Sequence, residues 1–163
     1  MENEAGAAEL NTDAEQASEV LLRLLARREH SYVELERKLK QRGFDPSVSR
    51  SVIDQAVSRG WQSDERFMQS FLQERIRQGD GPLKVRAAAQ QRGVSNAEVD
   101  AALENVEIDW AQQCYEKLLR RFPDQVSQDA KDKNKRMRYL QQRGFSFEHI
   151  KSALNKQQET LAD

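Results

Sequence analysis

Cysteine occurs once, as Cys114, so the chain can close no disulfide within itself and can build no thiolate zinc site. Histidine occurs twice, as His30 and His149. Each falls beside a helix boundary or on a helix surface in the periodicity below, and a solvated or capping imidazole is expected there rather than a catalytic base. No Gly-x-x-x-x-Gly-Lys-Ser/Thr phosphate loop exists, and the nearest stretch, Gly79-Asp80-Gly81-Pro82, lacks the lysine and the hydroxyl. Cys114 lies on an apolar helical face with Trp110 and Leu118, which makes it a buried structural thiol. The carboxylates are scattered over solvent faces. No catalytic constellation can be assembled, so neither enzyme activity nor a cofactor or metal is expected.

Long apolar runs are also missing. None approaches the roughly 20 residues that span a bilayer, and the opening Met1-Glu2-Asn3-Glu4 resembles neither a signal nor a transit peptide, so a cytoplasmic protein with no membrane partner is expected. Prolines number three and glycines seven, too few to break up much helix. Apolar and aromatic residues make 37% of the chain and charged ones 33%, which favours thin stacked helical units over one deep core.

What is present is repetition. Gln41-Arg42-Gly43-Phe44 returns as Gln91-Arg92-Gly93-Val94 and as Gln142-Arg143-Gly144-Phe145, a period of about fifty residues. In each copy a polar, basic helical segment runs into a glycine suited to close a helix at positive φ. One apolar residue and a capping residue follow, Asp45, Ser95 or Ser146, and open the next helix. Asp45 precedes Pro46, and Ser95 pairs with Glu98 as a capping box.

The spacing predicts an all-α chain of three tandem three-helix repeats, stacked as an elongated, curved array of either hand. Residues 1–16 are expected to be an acidic disordered tail, with repeats at 17–60, 61–107 and 108–163, the last fraying beyond Gln157. In repeat one Leu21, Leu24 and Leu25 begin the core, Ser31 and Glu34 cap the second helix, and Val48, Val52 and Ile53 line the third. In repeat two Asp64 is the expected N-cap ahead of Phe67, Met68, Phe71 and Leu72, and Gly81-Pro82 opens a middle helix of small residues, Ala88 and Ala89. In repeat three Trp110, Cys114 and Leu118 face inward, then a strongly basic helix reaches Gly144, and Ile150, Ala153 and Leu154 finish the core.

Charge is patterned as well. The first 20 residues hold six acids and no base, leaving 21 acids against all 26 bases in the remainder. The middle helices carry the surplus. Arg37, Lys38, Lys40 and Arg42 stand in the first, Lys84, Arg86 and Arg92 in the second, and Lys131, Lys133, Lys135, Arg136, Arg138 and Arg143 in the third. The third helix of repeat two, by contrast, holds Glu98, Asp100, Glu104 and Glu107 and no base. Stacked repeats would line the basic helices into a stripe fit for a polyanion or an acidic protein groove. A Myb-like or homeodomain-like reader is disfavoured, because that acidic helix would meet DNA phosphates. The residues expected to touch a partner are Arg37, Lys38, Lys84, Arg86, Arg92, Lys133, Arg136, Arg138 and Arg143.

Three motifs extend the reading. They are His30-Ser31-x-x-Glu34-Leu35-x-x-Lys38-Leu39; Asp64-x-Arg66-Phe67-x-x-x-Phe71-x-x-x-Arg75 followed by Gly79-x-Gly81-Pro82; and Arg138-Tyr139-Leu140-x-x-Arg143-Gly144-Phe145. In these the chain, over about residues 18–155, resembles the RecX family of bacterial regulators of RecA recombinase. It departs from the family pattern at Ala89, where leucine is usual, and in its acidic leader. The resemblance implies a non-enzymatic monomer that binds the RecA filament on single-stranded DNA. It further implies limits on filament growth, ATP hydrolysis, strand exchange and co-proteolysis. Weak direct binding to single- or double-stranded DNA, acting by competition, is the other reading.

Overall fold

The computed structural model describes residues 2–162, and among them every regular element is a helix. In order these are α1 (Glu2–Arg27), α2 (Tyr32–Gln41), α3 (Pro46–Ser58), α4 (Asp64–Arg77), α5 (Pro82–Gln91), α6 (Asn96–Asn105), α7 (Trp110–Arg121), α8 (Ala130–Gln142) and α9 (Phe147–Ala162). The expected three-by-three arrangement of helices is therefore the observed one. Two boundaries differ. Helix α1 begins at Glu2, where a disordered tail over 1–16 was expected. That segment has no proline and is rich in alanine and glutamate, so helix propagates outward from the buried stripe that starts at Ala17. Helix α9 likewise continues through the predicted fraying point, because Gln157 is wholly buried.

The caps follow the sequence closely. Ser31 accepts the Glu34 N–H at 3.0 Å while the Glu34 carboxylate takes the Ser31 N–H at 3.1 Å, a complete capping box. Asp45 caps α3 with Pro46 behind it, Ser95 receives the Glu98 N–H, and Ser146 receives the His149 N–H. Helix α4 is the exception. Ser63, not Asp64, is its N-cap, receiving the Arg66 N–H at 3.2 Å. The Asp64 carboxylate instead accepts the Tyr32 N–H and the Gln62 amide, both at 2.9 Å.

The described residues form two compact bodies, one of residues 2–70 with 90–99 and the other of 71–89 with 100–162, so the helices of the middle repeat are divided between them. The first body has its core in Leu21, Leu24, Leu35, Leu39, Val48, Val52 and Ile53, with Phe44 and Tyr32 packed at the margin. In the second, Cys114, Tyr115, Leu118, Leu140, Phe145, Ile150 and Ala153 pack together, flanked by Trp110, Phe122 and Tyr139. Each fully buried leucine or isoleucine contributes about 1.5–3 kcal/mol.

Within each body one Gln-Arg-Gly turn is seated on the start of the preceding repeat's middle helix. In the first, Ser31 Oγ donates to the Arg92 carbonyl at 2.6 Å, Arg37 Nη1 donates to the Gln91 carbonyl at 2.5 Å, and Gly93, at φ 75°, leaves no room for a Cβ against the Val33 side chain. In the second, the Gly81 N–H donates to the Arg143 carbonyl at 2.7 Å and the Leu83 N–H to the Gly144 carbonyl at 3.0 Å. A Cβ on Gly144, φ 90°, would strike the Lys84 backbone. The turn glycines thus serve twice, for positive φ and for close approach.

Candidate partner-binding surface

The basic residues of the middle helices do not form one free stripe. Arg136 is the clearest correction. It is only 4% exposed, and its guanidinium is consumed inside repeat three. Nε pairs with Asp132 at 3.1 Å, Nη1 donates to the Asp124 carbonyl and to Gln157 Oε1, both at 2.8 Å, and Nη2 donates to the Gln125 carbonyl at 3.2 Å. Its helical position matches Leu35 and Val85, each eight residues before the turn glycine, so it faces inward as they do. A buried cation persists there because four acceptors surround it.

Other expected contacts are also occupied. Arg37 is held by the Gln91 carbonyl, and Arg86 pairs with Asp100 on α6 at 2.6 Å. Lys38 lies 3.4 Å from His30 Nε2. Lys84 and Arg143 converge on Asp80, at 3.5 and 3.4 Å, where Arg75 joins them at 3.2 Å. Asp80 is 1% exposed, so a residue read only as part of a glycine-rich break is the hub of an ion-pair cluster. Arg75 and Lys84, five residues before and four after this acid, are the local signal that could have found it. Arg92 is half-buried behind its docked turn. Position explains all of these: the middle helices carry the contacts between repeats, so their bases face other backbone as often as solvent.

What remains open lies on α8 and at the first turn. Lys131, Lys135 and Arg138 are exposed, and among the described residues none of them meets a carboxylate. Lys133 is half-buried beside Met137, Phe147, Lys151 and Leu154 in a groove of about 180 Å³. Phe147, at its rim, is 60% exposed. Arg42 is exposed at the end of α2.

The titratable groups have structural explanations. His30 is 1% exposed rather than solvated, its Nδ1 bonded to the Arg28 carbonyl at 3.0 Å, and burial holds its pKa below the ordinary value. Burial pushes the neighbouring Glu34 carboxyl up, but hydrogen bonds from Arg28 and from the Ser31 N–H leave it lowered on balance. Burial raises the Cys114 thiol to about 12. No group of three His, Cys, Asp or Glu side chains among the described residues could hold a metal ion, and no described helix is long and apolar enough to cross a membrane.

Comparison with known proteins decides the family. The RecX first three-helix domain matches residues 17–55, the second 63–103 and the third 105–154. The chain belongs to the RecX family. A RecX regulatory protein of Pseudomonas fluorescens strain SBW25 is 40% identical over 132 residues, covering 81% of this chain and 85% of the relative. One from Halorhodospira halophila is 36% identical over 151 residues, covering 93% and 91%. The fold matches crystal structures of RecX proteins. That from Lactobacillus salivarius gives a TM-score of 0.75 at 17% identity, over 90% of this chain and 97% of its own. A second gives 0.79 at 18% identity, over 96% and 78%. These RecX relatives are named regulatory proteins, which sets the coarse function of the family as regulation.

Proposed function

We propose that this chain is a non-enzymatic, cytoplasmic modulator of RecA recombinase, acting as a monomer that binds the RecA filament on single-stranded DNA and limits its growth, ATP hydrolysis, strand exchange and co-protease activity. The observation that carries this reading is membership in a regulatory family across all three three-helix domains. The exposed cations of α8, Lys131, Lys135 and Arg138, support it as the partner-facing set, with Lys133 at the edge of its groove. Those same cations favour direct DNA binding as the second reading, since a phosphate backbone needs only exposed positive charge. Stacking is its weakness. Tyr32 donates to Asp54 at 2.7 Å and Tyr139 packs edge-on against Phe122, so neither offers an open face for nucleobases.

A titration with fluorescent single-stranded DNA, bare or coated by RecA, separates the two. Tighter binding to the coated strand is expected, and equal affinity for both would give the DNA reading the preference.

A further inference from the structure

The three Gln-Arg-Gly turns are not equivalent, and the first is unfilled. In the second and third, turn carbonyls accept hydrogen bonds from the start of a helix: Arg92 from Ser31 Oγ, Arg143 from the Gly81 N–H, and Gly144 from the Leu83 N–H. The third turn adds its guanidinium, Arg143, to the buried Asp80 carboxylate. In the first turn Gly43 has the same left-handed backbone, φ 86°, yet open space surrounds the place where its Cβ would stand. Among the described residues the Arg42 and Gly43 carbonyls meet no donor, and the exposed Arg42 guanidinium meets no acceptor.

We infer that the first turn, Gln41 to Phe44, is a docking knob for a helix N-terminus of a partner protein, one whose first turn presents open N–H groups and a carboxylate. A helix start carries unsatisfied N–H donors, which match two unsatisfied carbonyls, and an adjacent acid matches Arg42. A nucleic acid fits less well. Its phosphates bring only acceptors, which would pair with Arg42 and be repelled by the two carbonyls. A second copy of this chain fits less well too. Counting back 12 residues from each turn glycine gives Ser31, Gly81 and Asp132. Ser31 is an N-cap and Gly81 directly precedes α5, but Asp132 lies inside α8, already bonded to the Ser127 N–H and to Arg136. Among the described residues there is therefore no third open seat for the chain's own first turn.

This inference rests on the proposed action on RecA filaments and names one contact within it. The test compares Arg42→Glu and Arg42→Ala with Arg50→Glu, a base in the same body that forms an exposed pair with Glu36 at 3.5 Å. All three are expected to keep wild-type helicity. For RecA-coated single-stranded DNA, Arg42→Glu is expected to weaken binding by more than roughly tenfold, Arg42→Ala by about fivefold and Arg50→Glu by less than about threefold. On bare DNA the two charge reversals are expected to weaken binding by the same factor. Equal losses for Arg42→Glu and Arg50→Glu on coated strands would overturn the inference alone. A loss on bare DNA specific to Arg42→Glu and as large as that on coated strands would overturn it by assigning Arg42 to phosphate. A wild-type protein that ignores coated strands would overturn both this inference and the reading beneath it.

Discussion

Gly43 and Gly93 allow one physical term to be isolated by subtraction. Both occupy the left-handed region, at φ 86° and 75°, so alanine at either site meets a similar backbone penalty. That penalty is about 1–2 kcal/mol, partly offset by about 0.4–1 kcal/mol from the lost freedom of the unfolded chain. Gly43→Ala should therefore cost about 1 kcal/mol and nothing further, since no atom lies within 4 Å of its Cβ position. Gly93→Ala adds a collision with the Cβ and both methyl groups of Val33. Overpacking of that kind costs about 1–3 kcal/mol, and a turn pushed off α2 also loses the hydrogen bond from Ser31 to the Arg92 carbonyl, about 1 kcal/mol. The expected difference between the variants is about 2 kcal/mol or more. Urea unfolding followed by circular dichroism measures it, as a midpoint gap of about 1 M for a slope near 2 kcal/mol per M. Two variants within about 0.5 kcal/mol of each other would refute the claim that the second turn is seated on α2.

Arg136→Leu restores the residue type of the equivalent position in repeat one, yet it should destabilise by about 2–4 kcal/mol, because it strands three acceptors and a partly exposed Asp132 carboxylate. Arg138→Leu, two positions on, should change unfolding by no more than about 0.5 kcal/mol, and equal costs in urea would contradict the placement of Arg136. His30 binds a proton less readily folded than unfolded, so its contribution is complete above its ordinary pKa of 6.5 and is lost as pH falls below it. The urea midpoint of the wild type should thus fall between pH 7.5 and 5.5 more steeply than that of His30→Asn. Glu34, with its pKa lowered, contributes above its ordinary 4.5 and loses its effect only in more acid solution. Cys114, buried and pushed to about 12, should react with a thiol reagent only in denaturant, and rapid labelling of the folded protein would contradict its burial.

The helices, caps and turns were legible because they rest on local rules: Ser31 with Glu34, Asp45 with Pro46, and a glycine closing each middle helix all act within a few residues. Helix α1 starts well before the expected boundary, because the strong helix propensity of alanine and glutamate carries it through an acidic segment with no proline. The basic stripe was half legible. Counting charge found the middle helices but not the direction of each side chain, and at Arg136 a period that reads Leu35 and Val85 as core was overridden by charge. Applying that period to all three copies would have put Arg136 inside. Asp80 was missed for another reason: its partner Arg143 lies far along the chain, in the next repeat, and nothing in local spacing reports such a pairing.

The central claim is regulation of RecA, and the direct measurement is the rate of ATP hydrolysis by RecA on single-stranded DNA as this protein is added. A dose-dependent fall is predicted, reached at concentrations where bare DNA is still unbound. Hydrolysis that stays constant up to and beyond one molecule of this protein per RecA subunit would contradict the account.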